Sequence, residues 1–209
     1  LVALADVARL DRPPEAYHLG FVLGPRVNAG GRIGAADLGA RLLATDDPAE
    51  AQALAARLDT LNTDRREIEA AVRDAALAQV AGRDPGALAW AAGEGWHPGV
   101  VGIVASRLKE AMNRPAVVIG FDGDAGKGSG RSVPGVDLGA AIQRLAAEGL
   151  IEKGGGHRMA AGLSLNRAQL GPAMARLEAL LAKQEAGAEK PVDLRIDGMV
   201  MAPALTPDL

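Results

Sequence analysis

The sequence has no cysteine and few aromatic residues: two tryptophans, one tyrosine and two phenylalanines among 209 residues. The lack of cysteine excludes a disulfide scaffold, a thiolate zinc site and a cysteine nucleophile, and it fits a reducing compartment. No uncharged stretch approaches the roughly 20 apolar residues that cross a bilayer, and residues 1–20 lack the basic start of a signal peptide. We therefore expect a cytoplasmic protein with no membrane partner. Because the first residue is Leu1, we also expect a piece of a longer polypeptide.

Charge is distributed unevenly along the chain, although the formal net charge is only −3. Three glycine-rich segments, 24–36, 125–136 and 153–167, contain no acidic residue and together hold seven lysines and arginines. Clusters of this kind are typical of phosphate binding, but basic residues also scatter this way by chance. Charge alone leaves both interpretations open.

The first part of the sequence predicts short helices around a glycine-rich loop. A helix is expected over 2–10 and another over 37–44. Between them, residues 24–34 contain four glycines and a proline, which predicts a loop because neither residue type suits a helix interior.

A long helix is expected over 47–82. Asp47, Pro48 and Glu50 predict its start as an N-cap, a first-turn proline and a capping-box glutamate. The apolar stripe, interrupted only by Arg65, comprises Leu54, Leu58, Leu61, Ile68, Val72 and Ala75. A helix of this length, about 50 Å, is typical of one that braces two domains.

From residue 85 the pattern changes to alternating strands and helices. Strands over 87–92 and 115–121 with a helix over 100–112 predict a βαβ-like unit. The other predicted elements are strands at 127–132 and 162–165 and helices at 137–147 and 168–185. The predicted fold class is therefore α/β: a mixed sheet flanked by helices over 85–186, preceded by the long connecting helix.

The C-terminal residues predict a different structure. Residues 187–191 are polar and read as a linker, and 192–197 alternate apolar and charged residues with the two-residue period of a strand. We expect 190–209 to open a further β-rich domain that is truncated here.

Three motifs are candidate phosphate sites, and each has a structural alternative. Trp96 and His97 precede a helix start, where backbone N–H groups favour an anion and an indole can stack on a base; a helix cap with a packed Trp96 is the alternative. The segment 127–132 predicts either a strand that a ligand approaches closely or a flexible loop. In 154–158, three glycines can form an anion-binding nest beside His157, although a lone histidine is more often structural.

Other phosphate and metal motifs are excluded. The spacing from Gly120 to Lys127 does not match a nucleotide-triphosphate loop, and Asp122 and Asp124 lack the glutamate that closes a calcium loop, so we expect a simple turn there. There is no cluster of histidines and carboxylates at metal-ligand spacing and no nucleophile elbow. We therefore expect no catalytic residue and no metal site in this chain.

Four motifs in this order resemble the RecJ family, 5′-to-3′ exonucleases specific for single-stranded DNA within the DHH phosphoesterase superfamily. The motifs are GPRVNAGGR at 24–32, WHPGVVGIVASRL at 96–108, GKGSGRS at 126–132 and GGGHRMAAG at 154–162. The resemblance implies a catalytic DHH domain that binds two Mn²⁺ or Mg²⁺ ions and is absent from this sequence. It also implies that 1–46 is the junction with that domain, 85–186 the DHH-associated substrate-binding domain, and 190–209 the first strand of an OB-fold domain.

The resemblance implies single-stranded DNA as the ligand, in DNA repair and recombination. A RecQ-type helicase and a single-stranded-DNA-binding protein are implied as partners. Arg26, Asn28 and Arg32 are expected at the domain junction. The expected nucleic-acid-binding residues are Trp96, His97, Lys127, Ser129, Arg131, Ser132, Gly154, Gly155, Gly156, His157 and Arg158.

Two other functions remain open at this stage. The first is a related phosphodiesterase for short oligonucleotides or cyclic dinucleotides, because the GGGH motif recurs across the superfamily. The second is a scaffold without enzymatic function, which would associate with itself through the long helix. The motifs at 24–32 and 96–108 favour the exonuclease family.

Overall fold

The computed structural model describes residues 1–83 and 86–187, and side chains up to residue 184. The N-terminal part contains α1 (Val2–Val7), a π-helical turn (His18–Leu23), α2 (Gly24–Ile33), α3 (Leu38–Ala44) and α4 (Pro48–Ala81). The second part contains β1 (Ala89–Glu94), α5 (Pro98–Met112), β2 (Ala116–Asp122), β3 (Ala125–Arg131), α6 (Leu138–Ala147), β4 (Lys153–His157), β5 (Ala160–Asn166) and α7 (Leu170–Gly187). The predicted α/β class is confirmed.

The long helix α4 begins as predicted, but its capping box does not form. The Asp47 carboxylate accepts hydrogen bonds from the N–H groups of Ala49 (2.8 Å) and Glu50 (3.4 Å). The Glu50 side chain instead accepts from Arg41 (2.8 Å) and Thr45 (2.7 Å). The prediction for Glu50 was wrong because Arg41 of α3 and Thr45, which follows α3, donate to its carboxylate.

Helix α4 joins two hydrophobic cores. Its first half buries Leu54 and Leu58 against α1, α2 and α3, and its second half buries Val72, Ala76 and Val80 against the sheet. The predicted stripe ended on Ala75, which is exposed. After Val72 the buried positions are Ala76 and Val80, four residues apart. A straight helix has 3.6 residues per turn, so a stripe with a 3.5-residue repeat drifts around the helix.

The segment 24–34 was predicted as a loop, and this was wrong, since 24–33 is the helix α2. Gly30 is buried, and a Cβ atom at this position would lie 3.2 Å from the Leu58 side chain and 3.0 Å from the Ala35 carbonyl oxygen. The glycine therefore allows α2 to approach α4 closely. Tertiary packing of this kind outweighs the low helix propensity of glycine.

The five strands form one mixed sheet in the order β1-β2-β3-β5-β4. The β1 and β2 strands are parallel, and the other neighbours are antiparallel. Helices α4 and α5 pack on one face against small residues of β1 and β2, while α6 and α7 pack on the other face. The turn Gly123-Asp124 connects β2 and β3 as a tight hairpin, in agreement with the predicted turn.

The three glycines at 154–156, which were predicted as a candidate anion-binding nest, lie in the edge strand β4. This strand pairs with β5, with Gly155 opposite Gly162 and His157 opposite Ala160. Glycine weakens a strand through its conformational entropy and its lack of a side chain to pack. Here the neighbouring β5 supplies the hydrogen-bonding partner, so the segment is extended.

The other edge of the sheet, β1, is closed by side chains of α4 and the residues that follow it. Gln79 donates from Nε2 to the Ala92 carbonyl (2.9 Å) and accepts at Oε1 from the Ala92 N–H (3.1 Å). Arg83 donates to the Trp90 carbonyl (2.6 Å) and lies over the indole ring of the same residue, 3.9 Å from its centroid. These bonds fix the long helix to the sheet and cover its edge.

Within 1–83 and 86–187, no helix has the length and apolarity needed to cross a membrane. The predicted strand at 192–197 lies outside the described residues, as does the predicted linker apart from Gly187, which ends α7. The truncated OB-fold segment at 190–209 therefore stays a prediction.

The Gln79 clamp predicts a stability effect. Replacing Gln79 by Ala leaves the N–H and carbonyl of Ala92 without partners, so we expect the free energy of unfolding to fall by about 1–3 kcal/mol. Urea denaturation followed by circular dichroism measures the change. The control is Gln52→Ala, which removes an exposed glutamine from the same helix; equal effects of the two substitutions would contradict a role for the clamp.

Candidate nucleic-acid interface

One half of a sheet face carries the basic motifs. Directly paired residues of antiparallel strands point to the same face, so the pairing of β3, β5 and β4 defines three cross-strand rows. The rows are Lys127, Ser164 and Lys153; Ser129, Gly162 and Gly155; and Arg131, Ala160 and His157. None of these three strands contains an acidic residue. We call this surface the open sheet face.

The centre of the open sheet face consists of Gly155 and Gly162, which we call the glycine floor. A Cβ atom on Gly155 would meet no atom within 4 Å, and one on Gly162 would meet only the Gly128 carbonyl oxygen, at 3.9 Å. These two glycines are therefore not required by internal packing. They leave a trough between the row of Lys127 and Lys153 and the row of Arg131 and His157, whose backbone positions lie about 14 Å apart, the length of four strand residues.

Other glycines of the same motifs face the core. A Cβ on Gly128 would lie 2.8 Å from Ile119 and 2.9 Å from Leu163, and one on Gly130 would lie 2.7 Å from Leu138. The sequence interpretation of 127–132 as a strand is confirmed. These glycines are required because apolar side chains of the core occupy the space on that face, and the approach of a ligand to the other face of the strand stays a prediction.

Helix α5 forms the boundary between the covered part of this sheet face and the open sheet face. Its buried residues Val104 and Ala105 pack with Ala116 and Val118 of β2. Gly102 of α5 lies close to the polar side chains of β3, since a Cβ there would lie 3.1 Å from Ser129 Oγ and 3.2 Å from Arg131 Nη2. The Arg131 guanidinium is held by the Ser129 hydroxyl (3.0 Å) and the Gly130 carbonyl (2.8 Å), which orients it along the open sheet face.

Trp96 and His97 lie beside the Lys127 end of the open sheet face. All three residues line a hollow of about 390 Å³. The Trp96 ring is half-buried and packs over Gly93, where a Cβ would lie 2.2 Å from the indole. His97 Nδ1 accepts a hydrogen bond from the Gly99 N–H (3.0 Å) and so caps α5. The geometry at both residues matches the structural alternative, and base stacking on Trp96 stays a prediction.

Four expected contact residues do not face the trough. Ser132 is 1% exposed, and its hydroxyl donates to the Val136 carbonyl (2.9 Å). Gly154 points to the opposite face, against Ile142, and Gly156, with φ of +156°, lies where a Cβ would be 2.3 Å from the Ala160 carbonyl oxygen. Arg158 lies at the tip of the β4–β5 hairpin, exposed and 3.9 Å from Asp137.

The residues expected at the domain junction tie the N-terminal helices to α4 and α5. Arg26 Nε donates to Asp59 (2.7 Å), and Arg32 Nη1 donates to the Gly99 carbonyl (3.2 Å). A Cβ on Gly99 would lie 2.0 Å from the Arg32 carbonyl oxygen, so glycine allows this contact. Asn28 is exposed beside them. Their position next to a catalytic domain stays a prediction.

Four members of the open sheet face were not among the expected contact residues: Lys153, Ala160, Gly162 and Ser164. Ser164 and Gly162 belong to β5, whose residues 161–165 alternate buried apolar and more exposed small residues. This two-residue period is visible in the sequence and could have placed them on the same face as Lys153. Among the residues whose positions are described, there is no group of three or more histidines or carboxylates that could hold a metal ion.

Comparison with known proteins gives the family. The model of the DHHA1 domain matches residues 74–183. The single-stranded-DNA-specific exonuclease RecJ of Escherichia coli K12 is 46% identical over 173 residues, which are 78% of this chain and 30% of that protein. RecJ of Bacillus subtilis 168 is 43% identical over 151 residues, 70% of this chain and 19% of that protein.

The fold agrees with this relationship. The crystal structure of Thermus thermophilus RecJ with Mg²⁺ matches with a TM-score of 0.75 at 36% identity, over 86% of this chain and 28% of that chain. The chain belongs to the DHHA1 domain family, and it is similar to RecJ exonucleases. It spans about 30% of the length of the E. coli relative.

Two neighbouring glycines of β4 test which face of the strand packs against the core and which is open. Gly154→Ala places a methyl group 2.6 Å from the side chains of Ile142 and Ile151, and we expect overpacking to lower the stability by about 1–3 kcal/mol. Gly155→Ala places the methyl group in open space and leaves the stability unchanged. Thermal unfolding of both variants tests this. A large destabilisation by Gly155→Ala would mean that the trough is closed by other residues.

Proposed function

We propose that this chain binds the phosphate backbone of single-stranded DNA on its open sheet face, as the substrate-binding part of a RecJ-type exonuclease. The observation that carries the proposal is the glycine floor. Gly155 and Gly162 leave space that no side chain of the described residues fills, and this space lies between cationic rows with no acid on the three strands.

The chemistry of the open sheet face suits a backbone better than a base sequence. Lysine and arginine attract phosphates, and the Ser129 and Ser164 hydroxyls can donate to phosphate oxygens. The face offers no arrangement of amide side chains for reading base edges. Binding is therefore sequence-independent and strongly dependent on salt, because phosphate contacts release counterions.

Hydrolysis belongs to a DHH domain outside this chain. The RecJ relatives are named as exonucleases, and the T. thermophilus enzyme has been crystallised with Mg²⁺ and with Mn²⁺. We propose the same reaction for the parent protein: phosphodiester hydrolysis by a two-metal centre that faces the open sheet face, with the strand held across the trough. The chain alone then binds DNA without cleaving it.

The proposal extends to the cellular role. We place the parent enzyme in the cytoplasm, in DNA repair and recombination, with a RecQ-type helicase and a single-stranded-DNA-binding protein as partners. These partners would supply and protect the single strand that the open sheet face binds. The identity with RecJ proteins, at 46% in E. coli, favours an exonuclease over a cyclic-dinucleotide phosphodiesterase or a scaffold.

The double variant Lys127→Ala/Lys153→Ala tests the proposed site. Both side chains are exposed in the first cross-strand row, so their loss removes phosphate contacts without disturbing the core. For a labelled oligothymidylate followed by fluorescence anisotropy, we expect weaker binding and a slope of log K against log salt that is smaller by about 1.4.

The matched control is Arg144→Ala/Lys183→Ala, which removes the same charge from exposed positions of α6 and α7, on the opposite face of the sheet. We expect this variant to keep the slope of the unsubstituted chain. If both double variants lose the same affinity, the effect comes from net charge, and the proposed site is wrong.

A further inference from the structure

A second basic hollow lies on the other side of α5, between α2, α4 and α5. It has a volume of about 570 Å³ and is lined by five arginines and one acid. The arginines are Arg32, Arg65, Arg66, Arg73 and Arg107, and the acid is Glu69. We call it the arginine cleft. In a chain of net charge −3, this excess of positive charge needs an explanation.

The acid in the cleft is already neutralised. Glu69 forms an ion pair of 2.5 Å with Arg65, and both side chains are largely buried. Arg73 and Arg107 pair with Asp74 and Glu110, which lie outside the lining, and their side chains stay 43% and 57% exposed. Such exposed pairs are weak and readily exchanged for another anion.

Arg66 contributes a charge with no counterion. Its side chain is exposed in the lining, and among the described residues it forms neither an ion pair nor a side-chain hydrogen bond. Burial lowers the pKa of Arg65, and the charges of Arg32 and Arg66 lower it further, against the effect of Glu69. The arginines therefore repel one another, and a bound anion would relieve this repulsion.

Exposed aromatic rings stand at the same cleft. Phe21 lines it and is 73% exposed, and its ring stacks on Tyr17 with centroids 5.2 Å apart and an angle of 27°. Tyr17 is itself 64% exposed. Of the five aromatic residues in the chain, these two are the strongly exposed pair. Phosphate-binding cations beside a flat exposed ring form the combination that binds single-stranded nucleic acid, whereas an acidic peptide needs the cations alone.

We propose that the arginine cleft is a second binding site for single-stranded DNA, in which Arg66, Arg73 and Arg107 contact phosphates and Phe21 stacks on a base. The cleft shares its ligand with the proposed function but none of its residues. Helix α5 separates the two surfaces, since Gly102 approaches Arg131 on one side and Ile103 lines the cleft on the other. A strand that extends past α5 can therefore contact both.

The double variant Arg66→Ala/Arg73→Ala tests the phosphate contacts. In anisotropy titrations of the whole chain with a labelled oligothymidylate, we expect the salt slope to fall by about 1.4, for two lost contacts to a single strand. The control is Arg57→Ala/Arg144→Ala, which removes the same charge from exposed arginines that do not line the cleft. If the two variants have equal slopes, the proposal is wrong.

Phe21→Ala tests the stacking contact. We expect the affinity for the oligothymidylate to fall roughly fivefold or more, because a base loses its aromatic partner. The control is Leu43→Ala, which removes another exposed apolar side chain that does not line the cleft. Unchanged affinity of the Phe21 variant would overturn the stacking role and with it the preference for nucleic acid.

The two double variants distinguish a failure of the arginine cleft from a failure of the open sheet face. Loss of binding in the arginine variant with full binding in Lys127→Ala/Lys153→Ala would support the cleft and overturn the open sheet face. The reverse result would overturn the cleft alone. If the arginine variant loses binding to a polyglutamate peptide but keeps its affinity for the oligothymidylate, the cleft binds an acidic protein segment, and the proposal for DNA is wrong.

Discussion

A helix can pack on a sheet only where the strands offer apolar side chains, and this constraint shapes the molecule. Helix α4 covers β1, and helix α5 covers β2, where Ala116 and Val118 face it, and lies along β3 with Gly102 against Ser129 and Arg131. Beyond β3 the same face carries no large apolar side chain: its residues are Lys153, Gly155, His157, Ala160, Gly162 and Ser164. The half of the sheet that cannot be covered by hydrophobic packing is thus the half that is free to bind an anionic strand.

The covered half depends on the long helix for its position. Helix α4 contributes Leu58 to the N-terminal core and Val72 to the core under the sheet, so the two cores are joined by a continuous rod. Gln79 binds both backbone groups of Ala92 and fixes the end of this rod to β1. The arginine cleft lies between this helix and α5. Both candidate surfaces therefore flank α5 and hold fixed positions relative to each other.

Much of the fold was predictable, because long periodic segments have few alternatives. The bounds of α4, the parallel βαβ unit and α6 agree with the sequence patterns. The errors fall on glycine-rich segments. Residues 24–33 are helical and 154–157 are extended, because in both cases a neighbouring element, not the local sequence, decides the conformation. The candidate site was predicted as a set of motifs, but the sequence does not show which glycines face the core, as Gly128 does, and which face solvent, as Gly155 does.

The central claim is that the glycine floor of the open sheet face contacts single-stranded DNA. The most direct measurement is a backbone-amide NMR titration of the whole chain with an unlabelled oligothymidylate. The account predicts that the largest shifts occur at Gly155, Gly162 and Ser129, in the middle row of the open sheet face. Shifts confined to the opposite face, around α6 and α7, or an absence of shifts at these amides on saturation, would contradict it.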